Sequence, residues 1–331
     1  MDFRILALSG GGYRGLYTIA VLKHLEQQAG RPIGQCFDMI AGTSIGGIIA
    51  IGLALGKSAG DIERVFLDRG EDIFPRANSM VGRLLSRLKK PYGAKYRNIE
   101  LRKAIEQVIG GSALIGDAKT RLLVPAVNMS AGQVQMFKTP HHESLVWDKK
   151  LFAADVAMAT SAAPYFFPMA GIGNSRYVDG GIVANAPDLC ALHEATFFCG
   201  QDIADVHVLS VGTTSSKFSL PSSLGPDLSA ISWFRKDRLL STVMTSQQQL
   251  VRFMMTQQLK DRFLRIDEEP SNEQTSDLGL DIADEKRRKT LLGLAESSYR
   301  NVAARPQIQA FLSHTPVPPD FVASHATATS R

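Results

Sequence analysis

The sequence predicts an α/β sandwich, because short apolar segments typical of buried strands alternate with helix-like segments along most of the chain. Three segments carry this prediction. Residues 4–9 precede a glycine-rich loop, residues 37–41 precede a Gly-x-Ser-x-Gly turn, and residues 205–211 end at a glycine. A hydrophobic content of 44% supplies enough apolar side chains for a sizeable core.

Composition narrows the class of protein further. The 331 residues suit one large domain or two, and three widely spaced cysteines argue against a disulfide framework and a zinc site. The chain shows no signal peptide and no apolar run long enough to span a membrane, so we expect a soluble, cytoplasmic protein. A net charge of +5 points only mildly toward anionic partners, and we expect no nucleic-acid polymer among them.

The first predicted strand runs into a loop that offers two interpretations. The loop consists of Gly10, Gly11, Gly12, Tyr13, Arg14 and Gly15, and a helical pattern follows it. Bare glycine N–H groups can converge on a developing negative charge, as the oxyanion hole of an acyl-transfer enzyme requires. The loop also satisfies G-x-G-x-x-G, so a nucleotide-binding module is the alternative. That fingerprint needs an acid at the end of the second strand, whereas Asp38 stands at its start.

A second turn, Gly42-Thr43-Ser44-Ile45-Gly46, lies between a short apolar strand and a helix of small residues. This is the pattern of a nucleophile elbow, in which a sharp turn holds the serine hydroxyl away from the backbone. Glycine flanks the serine because the crowded turn leaves no room for a Cβ atom. We therefore predict that Ser44 is a catalytic nucleophile.

The middle of the chain contains a compositionally distinct segment. Helices are predicted at residues 57–74 and 98–109, and paired strands at residues 121–128 and 133–138. Residues 76–97, between the helices, are basic and carry apolar side chains at helical spacing. A basic amphipathic helix is typical of a membrane-surface contact, and a solvated lid or surface helix is the alternative that we favour.

Further along, an acid is placed where it can face a cleft. A helix predicted from residue 151 gives way to an apolar, aromatic run at residues 159–168, which prolines keep from being helical throughout. This run lines a pocket or belongs to the core. A strand at residues 176–178 then leads into Asp179, Gly180 and Gly181. A carboxylate at a strand end, followed by two glycines, can face an active site.

The C-terminal part is predicted to be mostly helical. A helix at residues 188–198 precedes the core strand at 205–211, and helices follow at residues 231–244, 246–260 and 284–298, with a short strand at 263–266. Residues 311–331 have the composition of a disordered tail. We therefore predict one catalytic domain over residues 1–310, whose helical part begins at residue 213.

A serine nucleophile needs a base, which is usually histidine. The histidines after Asp179 are His193, His207, His314 and His325. None lies in a glycine-flanked loop of the kind that a catalytic triad requires. A carboxylate in direct contact with the serine can serve instead. Asp179 is the best-placed acid, and the alternatives are Asp38, Asp155 and Asp188.

Together these motifs resemble those of the patatin-like lipid acyl hydrolases and phospholipases. The glycine-rich loop, the Gly-x-Ser-x-Gly elbow and Asp179-Gly180-Gly181 occur in the order typical of that family, over roughly residues 5–213. The resemblance implies a three-layer α/β/α sandwich around a mixed sheet and two-step ester cleavage by a Ser44–Asp179 dyad. It implies no metal and no cofactor. The N–H groups of Gly11 and Gly12 would stabilise the oxyanion, with Arg14 beside them, although Ser9 stands where many members have aspartate.

Within the family, the chain is similar to the CapV-type phospholipase effectors of anti-phage signalling. This similarity implies activation by a cyclic dinucleotide and peripheral attack on the inner surface of the cell's own membrane. A constitutive lipid hydrolase is the alternative. The basic residues 76–97 could serve a phosphate-bearing activator or an anionic bilayer, and a homo-oligomer is compatible with the sequence.

Overall fold

The computed structural model describes residues 2–75, 93–214, 219–220, 222–234, 238–275 and 278–322. Within these residues, eight strands form one mixed sheet. The strands are β1 (Phe3–Leu8), β2 (Met39–Gly42), β3 (Arg121–Asn128), β4 (Gln133–Lys138), β5 (Ala170–Ile172), β6 (Ser175–Asp179), β7 (Val206–Val211) and β8 (Phe263–Ile266). The basic segment at residues 76–97 lies mostly outside the described residues.

Helices cover both faces of the sheet. In the described part of the chain they are α1 (Gly15–Ala29), α2 (Ile45–Ala54), α3 (Ala59–Ile73), α4 (Ile99–Ile109), α5 (Ala153–Thr160), α6 (Gly181–Ala184), α7 (Asp188–Phe197), α8 (Ala230–Phe234), α9 (Arg238–Leu259), α10 (Asn272–Thr275), α11 (Glu285–Val302) and α12 (Pro306–Ser313). Of these helices, none is long and apolar enough to cross a membrane.

The side chains of β1 show how the layers are built. Alternate residues of a strand point to opposite faces. Leu6 and Leu8 join the larger hydrophobic cluster, with α1 and α2, while Ile5 and Ala7 pack in the second cluster with residues of α7 and α9. A strand buried on both faces reads as a continuous apolar run, which is what the sequence shows. The predicted three-layer α/β/α sandwich is confirmed.

The pairing of β3 brings two strand ends together. One edge of β3 pairs with β4 along Leu123–Asn128. The other edge therefore takes both β2, in parallel at Leu123, and β6, antiparallel from Ala126 onward. Because β2 and β6 run toward each other along this edge, their C-terminal ends meet. The elbow follows the end of β2, and Asp179 ends β6.

Three details differ from the sequence-based expectations. Helices predicted at residues 231–244 and 246–260 are instead the short α8 and one continuous α9, since neither proline nor glycine interrupts residues 238–259. The short strand β5 was not predicted. The tail does not begin at residue 311, because Phe311 and Leu312 are buried in α12, where the Phe311 ring packs on Phe37. The buried apolar side chains of this short helix hold it against the core, although the sequence after it has the polar composition of a disordered segment.

Candidate active site

Ser44 occupies a strained turn between β2 and α2. Its backbone has φ 56° and ψ −125°, a conformation that is costly for a residue with a side chain. The turn is tight enough that a Cβ at Gly42 would lie 2.1 Å from the Gly46 carbonyl oxygen, and one at Gly46 would lie 2.4 Å from that of Leu8. These contacts explain why the residues that flank the serine are glycines. The predicted strand–turn–helix context of a nucleophile elbow is therefore present.

Ser44 and Asp179 are in direct contact. The Ser44 hydroxyl donates a 2.6 Å hydrogen bond to Asp179 Oδ2, and the Gly181 N–H donates a 2.6 Å bond to Oδ1. The carboxylate is buried, and desolvation raises its pKa to about 6, although both hydrogen bonds lower it. A carboxylate with this pKa is ionised near neutral pH and is more basic than an exposed aspartate. It can therefore accept the serine proton directly.

Thr160 supports the elbow and was not singled out as a site residue from the sequence. Its Oγ1 accepts a 3.0 Å hydrogen bond from the Ser44 N–H and donates a 2.6 Å bond to the Pro125 carbonyl oxygen. Thr160 is fully buried at the end of α5. A threonine in an apolar run carries no sequence signal of this role, because its partners lie 116 and 35 residues away.

The glycine-rich loop contains two backbone N–H groups that no described residue uses. The Gly10 carbonyl accepts from Thr213 Oγ1 at 3.0 Å, and the Gly11 carbonyl accepts from Arg14 Nε at 3.4 Å. Because C=O and N–H point in opposite directions across a peptide unit, the N–H groups of Gly11 and Gly12 face away from these partners. No described residue accepts a hydrogen bond from either group, and both glycines line the pocket that contains Ser44.

The remaining residues predicted for the oxyanion loop have other partners. The Gly10 N–H donates to the Asn185 carbonyl oxygen at 2.9 Å, and that of Gly15 bonds within the loop's own turn. Both N–H groups are already used, so the available donors of the predicted oxyanion loop are those of Gly11 and Gly12. Arg14 is half-buried, and desolvation lowers the pKa of its guanidinium, which donates to the carbonyl oxygens of Gly11 and Thr214. Its guanidinium therefore lies on the side of the loop to which these carbonyl oxygens point.

A largely apolar pocket opens from the serine. Its lining combines the catalytic groups with side chains from α1 to α4, from the aromatic run and from α9. Representative lining residues are Leu16, Ile48, Phe66, Leu101, Phe167 and Met244. The aromatic run at residues 159–168 thus lines the pocket, one of the two roles left open by the sequence. An elongated apolar group such as an acyl chain suits this lining.

The alternative acids and bases lie elsewhere. Asp38 precedes β2, at the opposite end of the strand from Ser44, and binds the Arg4 N–H and His314. Asp155 pairs with Arg102, and Asp188 is buried at the start of α7. His193 stacks on Phe197, and His207 lies within β7. His325 lies outside the described residues.

The position of Asp38 also weighs against the nucleotide-binding alternative. A dinucleotide site needs an acid at the C-terminal end of the second strand. Here β2 ends at Gly42 and runs directly into the serine turn. The G-x-G-x-x-G match therefore lacks its ribose-binding partner.

Comparison with known proteins agrees with this geometry. The family model described as "Patatin-like phospholipase" matches residues 6–188. A cGAMP-activated phospholipase of Pseudomonas aeruginosa is 38% identical, over 96% of this chain and 94% of the relative. One from Vibrio cholerae is 37% identical, over 91% and 88%. A cUMP-AMP-activated phospholipase of Escherichia coli is 31% identical, over 63% of this chain and 64% of the relative.

Proposed function

The chain belongs to the patatin-like phospholipase family, and we propose that it is a serine acyl hydrolase that cleaves carboxyl-ester bonds of membrane phospholipids. The observation that carries this proposal is the 2.6 Å hydrogen bond from the Ser44 hydroxyl to a buried aspartate at the head of an apolar pocket. The activity is of the phospholipase A type, in which a fatty acid is released from the glycerol backbone.

The chemistry proceeds in two steps. Asp179 takes the proton of the Ser44 hydroxyl as Oγ attacks the ester carbonyl carbon, and negative charge develops on the carbonyl oxygen. The N–H groups of Gly11 and Gly12 stabilise that charge, and removal of one such donor typically costs about 2.7–4 kcal/mol of barrier. The lysophospholipid leaves with the proton from Asp179, and the acyl group stays on Ser44. Water then releases the fatty acid in the second step.

The substrate class follows from the pocket and the family. An apolar channel binds the acyl chain, while the polar head group stays outside with the bilayer surface. The enzyme therefore acts peripherally, on the inner membrane surface.

We further propose that a cyclic dinucleotide activates the enzyme, and that cGAMP is the first candidate. The two relatives named for cGAMP activation match this chain over at least 91% of its length, whereas the one named for cUMP-AMP matches 63%. The family model ends at residue 188, whereas the similarity to the cGAMP-activated relatives continues into the C-terminal helices. This additional similarity supports regulation of the same kind. In this proposal the enzyme is an effector of anti-phage defence.

Fatty-acid release from mixed phospholipid vesicles tests both statements. We expect release in the presence of cGAMP, weaker or no release with cUMP-AMP, and none without a nucleotide. Ser44→Ala should abolish release at every nucleotide concentration. Ser161→Ala is the matched control, since this pocket-lining serine donates to the Ala157 carbonyl oxygen and has no carboxylate partner. Full activity without nucleotide would refute the activation proposal alone, and activity of Ser44→Ala would refute the dyad.

A further inference from the structure

Asn185 carries a buried oxygen atom that the dyad does not use. The residue follows α6, is fully buried and lines the catalytic pocket. Its N–H donates to Gln247 Oε1 at 3.1 Å, and its carbonyl oxygen accepts from the Gly10 N–H at 2.9 Å. The side-chain Oδ1 accepts no hydrogen bond from any described residue. A buried acceptor without a donor is costly, so it calls for a partner that binds there.

The orientation of the amide follows from its surroundings. Asn185 Nδ2 lies 3.5 Å from the Gly10 carbonyl oxygen, which can only accept. Reversing the amide would place Oδ1 against that oxygen, acceptor against acceptor. Nδ2 is therefore the atom beside the Gly10 carbonyl oxygen, and Oδ1 is the atom left without a donor.

Oδ1 faces the reacting groups. The position of a Cβ on Gly181 would be 3.0 Å from Asn185 Oδ1 and 3.0 Å from Asp179 Oδ1. The position of a Cβ on Gly10 would be 2.4 Å from Asn185 Oδ1 and 3.2 Å from Ser44 Cβ. Because both positions are glycines, the unpartnered oxygen can approach Ser44 and Asp179 closely, and all three residues line the same pocket.

We propose that Asn185 Oδ1 positions the water molecule that hydrolyses the acyl-enzyme. The inference rests on the proposed acyl-serine chemistry. A water molecule has two protons to donate. When Ser44 is acylated, its hydroxyl no longer donates a hydrogen bond to Asp179. One O–H group of the water can then donate to that carboxylate, and the other can donate to Asn185 Oδ1. The oxygen lone pair is then directed at the acyl carbon.

The step balances without a further reactant. The water oxygen forms a bond to the acyl carbon, and Asp179 takes the proton that the water loses. The tetrahedral intermediate collapses, the bond from the acyl carbon to Ser44 Oγ breaks, and Asp179 returns the proton to Oγ. The products are the fatty acid and the free hydroxyl. Asn185 exchanges no proton, and its role is confined to the second step.

Single-turnover measurements on the whole chain separate the two steps. With enzyme in excess over p-nitrophenyl butyrate, release of p-nitrophenol reports acylation, and rapid-quench mass spectrometry of Ser44 reports the decay of the acyl group. The measurements are made with cGAMP present and repeated without it. Asn185→Leu keeps the branched shape of the side chain, removes the acceptor and also removes the contact of Nδ2 with the Gly10 carbonyl oxygen. We therefore expect acylation to slow no more than in Thr213→Val, which removes the other contact to that carbonyl. We expect deacylation to slow by roughly tenfold to a hundredfold.

Two further variants distinguish this role from support of the loop. Gly181→Ala keeps the N–H that binds Asp179 and adds a methyl group 3.0 Å from both Asn185 Oδ1 and Asp179 Oδ1, where it would displace the water, so it should also slow deacylation selectively. Thr213→Val removes the other hydrogen bond to the Gly10 carbonyl and leaves Oδ1 in place, so it should slow both steps.

Equal slowing of both steps in Asn185→Leu, or unchanged deacylation in that variant and in Gly181→Ala, would overturn the proposal. The proposed function fails by a different result, which is the absence of any acyl mass on Ser44 in the native protein.

Discussion

Ser44 Oγ and Asp179 Oδ2 lie 2.6 Å apart although 135 residues separate them in the chain. The contact arises because β2 and β6 approach each other end to end along the same edge of β3. Ser44 follows the C-terminal end of β2 and Asp179 ends β6, and helices begin directly after them at Ile45 and Gly181. The sheet thus holds the two residues together. Gly181, which follows β6, donates to Asp179, and Thr160, at the end of α5, accepts from the Ser44 N–H.

The pKa of Asp179 sets the pH dependence of acylation. Because burial raises this pKa to about 6, we expect kcat/KM to rise about tenfold per pH unit below that value and to level off above it. Initial rates on a short-chain ester between pH 4.5 and 8.5 measure the profile. His207→Asn and His314→Asn should leave the midpoint unchanged, and a midpoint that disappears with either histidine would contradict an aspartate base.

The same carboxylate should destabilise the folded protein near neutral pH. Its folded pKa is raised from 3.8 to about 6, so the unfolded chain ionises first as pH rises and stability falls across this window. The full cost above pH 6 is on the order of 3 kcal/mol. We expect Asp179→Asn to be inactive but to gain stability relative to the native protein by about 1 kcal/mol more at pH 8 than at pH 5.

Chemical denaturation at both pH values checks this expectation. Ser44→Ala keeps the carboxylate and removes a hydrogen bond that lowers its pKa, so its stability should depend on pH at least as strongly as that of the native protein. If the stability difference between Asp179→Asn and the native protein does not change with pH, burial does not raise the pKa of the Asp179 carboxyl group.

Thr160→Val should damage both stability and catalysis. The substitution keeps the shape but leaves the Ser44 N–H and the Pro125 carbonyl oxygen without their partner, at a cost of about 1–3 kcal/mol. The elbow then loses a contact that holds its unusual backbone, so kcat should fall as well. Thr196→Val is the control, since that hydroxyl bonds only to carbonyls of its own helix. Native kcat and unfolding free energy in Thr160→Val would exclude the supporting role.

Gly12 and Gly30 allow a matched test of the oxyanion loop. Both have positive φ, of 58° and 65°, so alanine at either position costs about 1–2 kcal/mol in backbone strain. A Cβ at Gly12 would lie 2.2 Å from the Leu280 carbonyl oxygen, whereas nothing lies within 4 Å of one at Gly30. We expect kcat to fall by roughly 10²–10³ in Gly12→Ala only. Equal kcat in the two variants would remove Gly12 from the site.

Much of this site could be predicted from local sequence. Glycines at Gly42 and Gly46 mark a turn with no space for side chains, and the acid before Gly180 marks a strand end. These are short-range steric requirements, so they leave a signature within a few residues. Most strands and helices were predicted for the same reason, since hydrophobic periodicity is local. The joined helix α9 and the buried end of α12 were not, because packing partners rather than periodicity decide where such helices stop.

The sequence by itself determined the sharp turn at Ser44, the acid at a strand end and the glycine-rich loop. Only the tertiary structure decided which loop N–H groups remain available. The Gly10 N–H is taken by Asn185, 175 residues away, so this partner depends on a contact between distant segments, whereas the Gly15 N–H is taken by its own turn. Thr160 and Asn185 emerged in the same way. A side chain that works through one hydrogen bond across more than a hundred residues has no local pattern, because its geometry exists only when the sheet has brought the strand ends together.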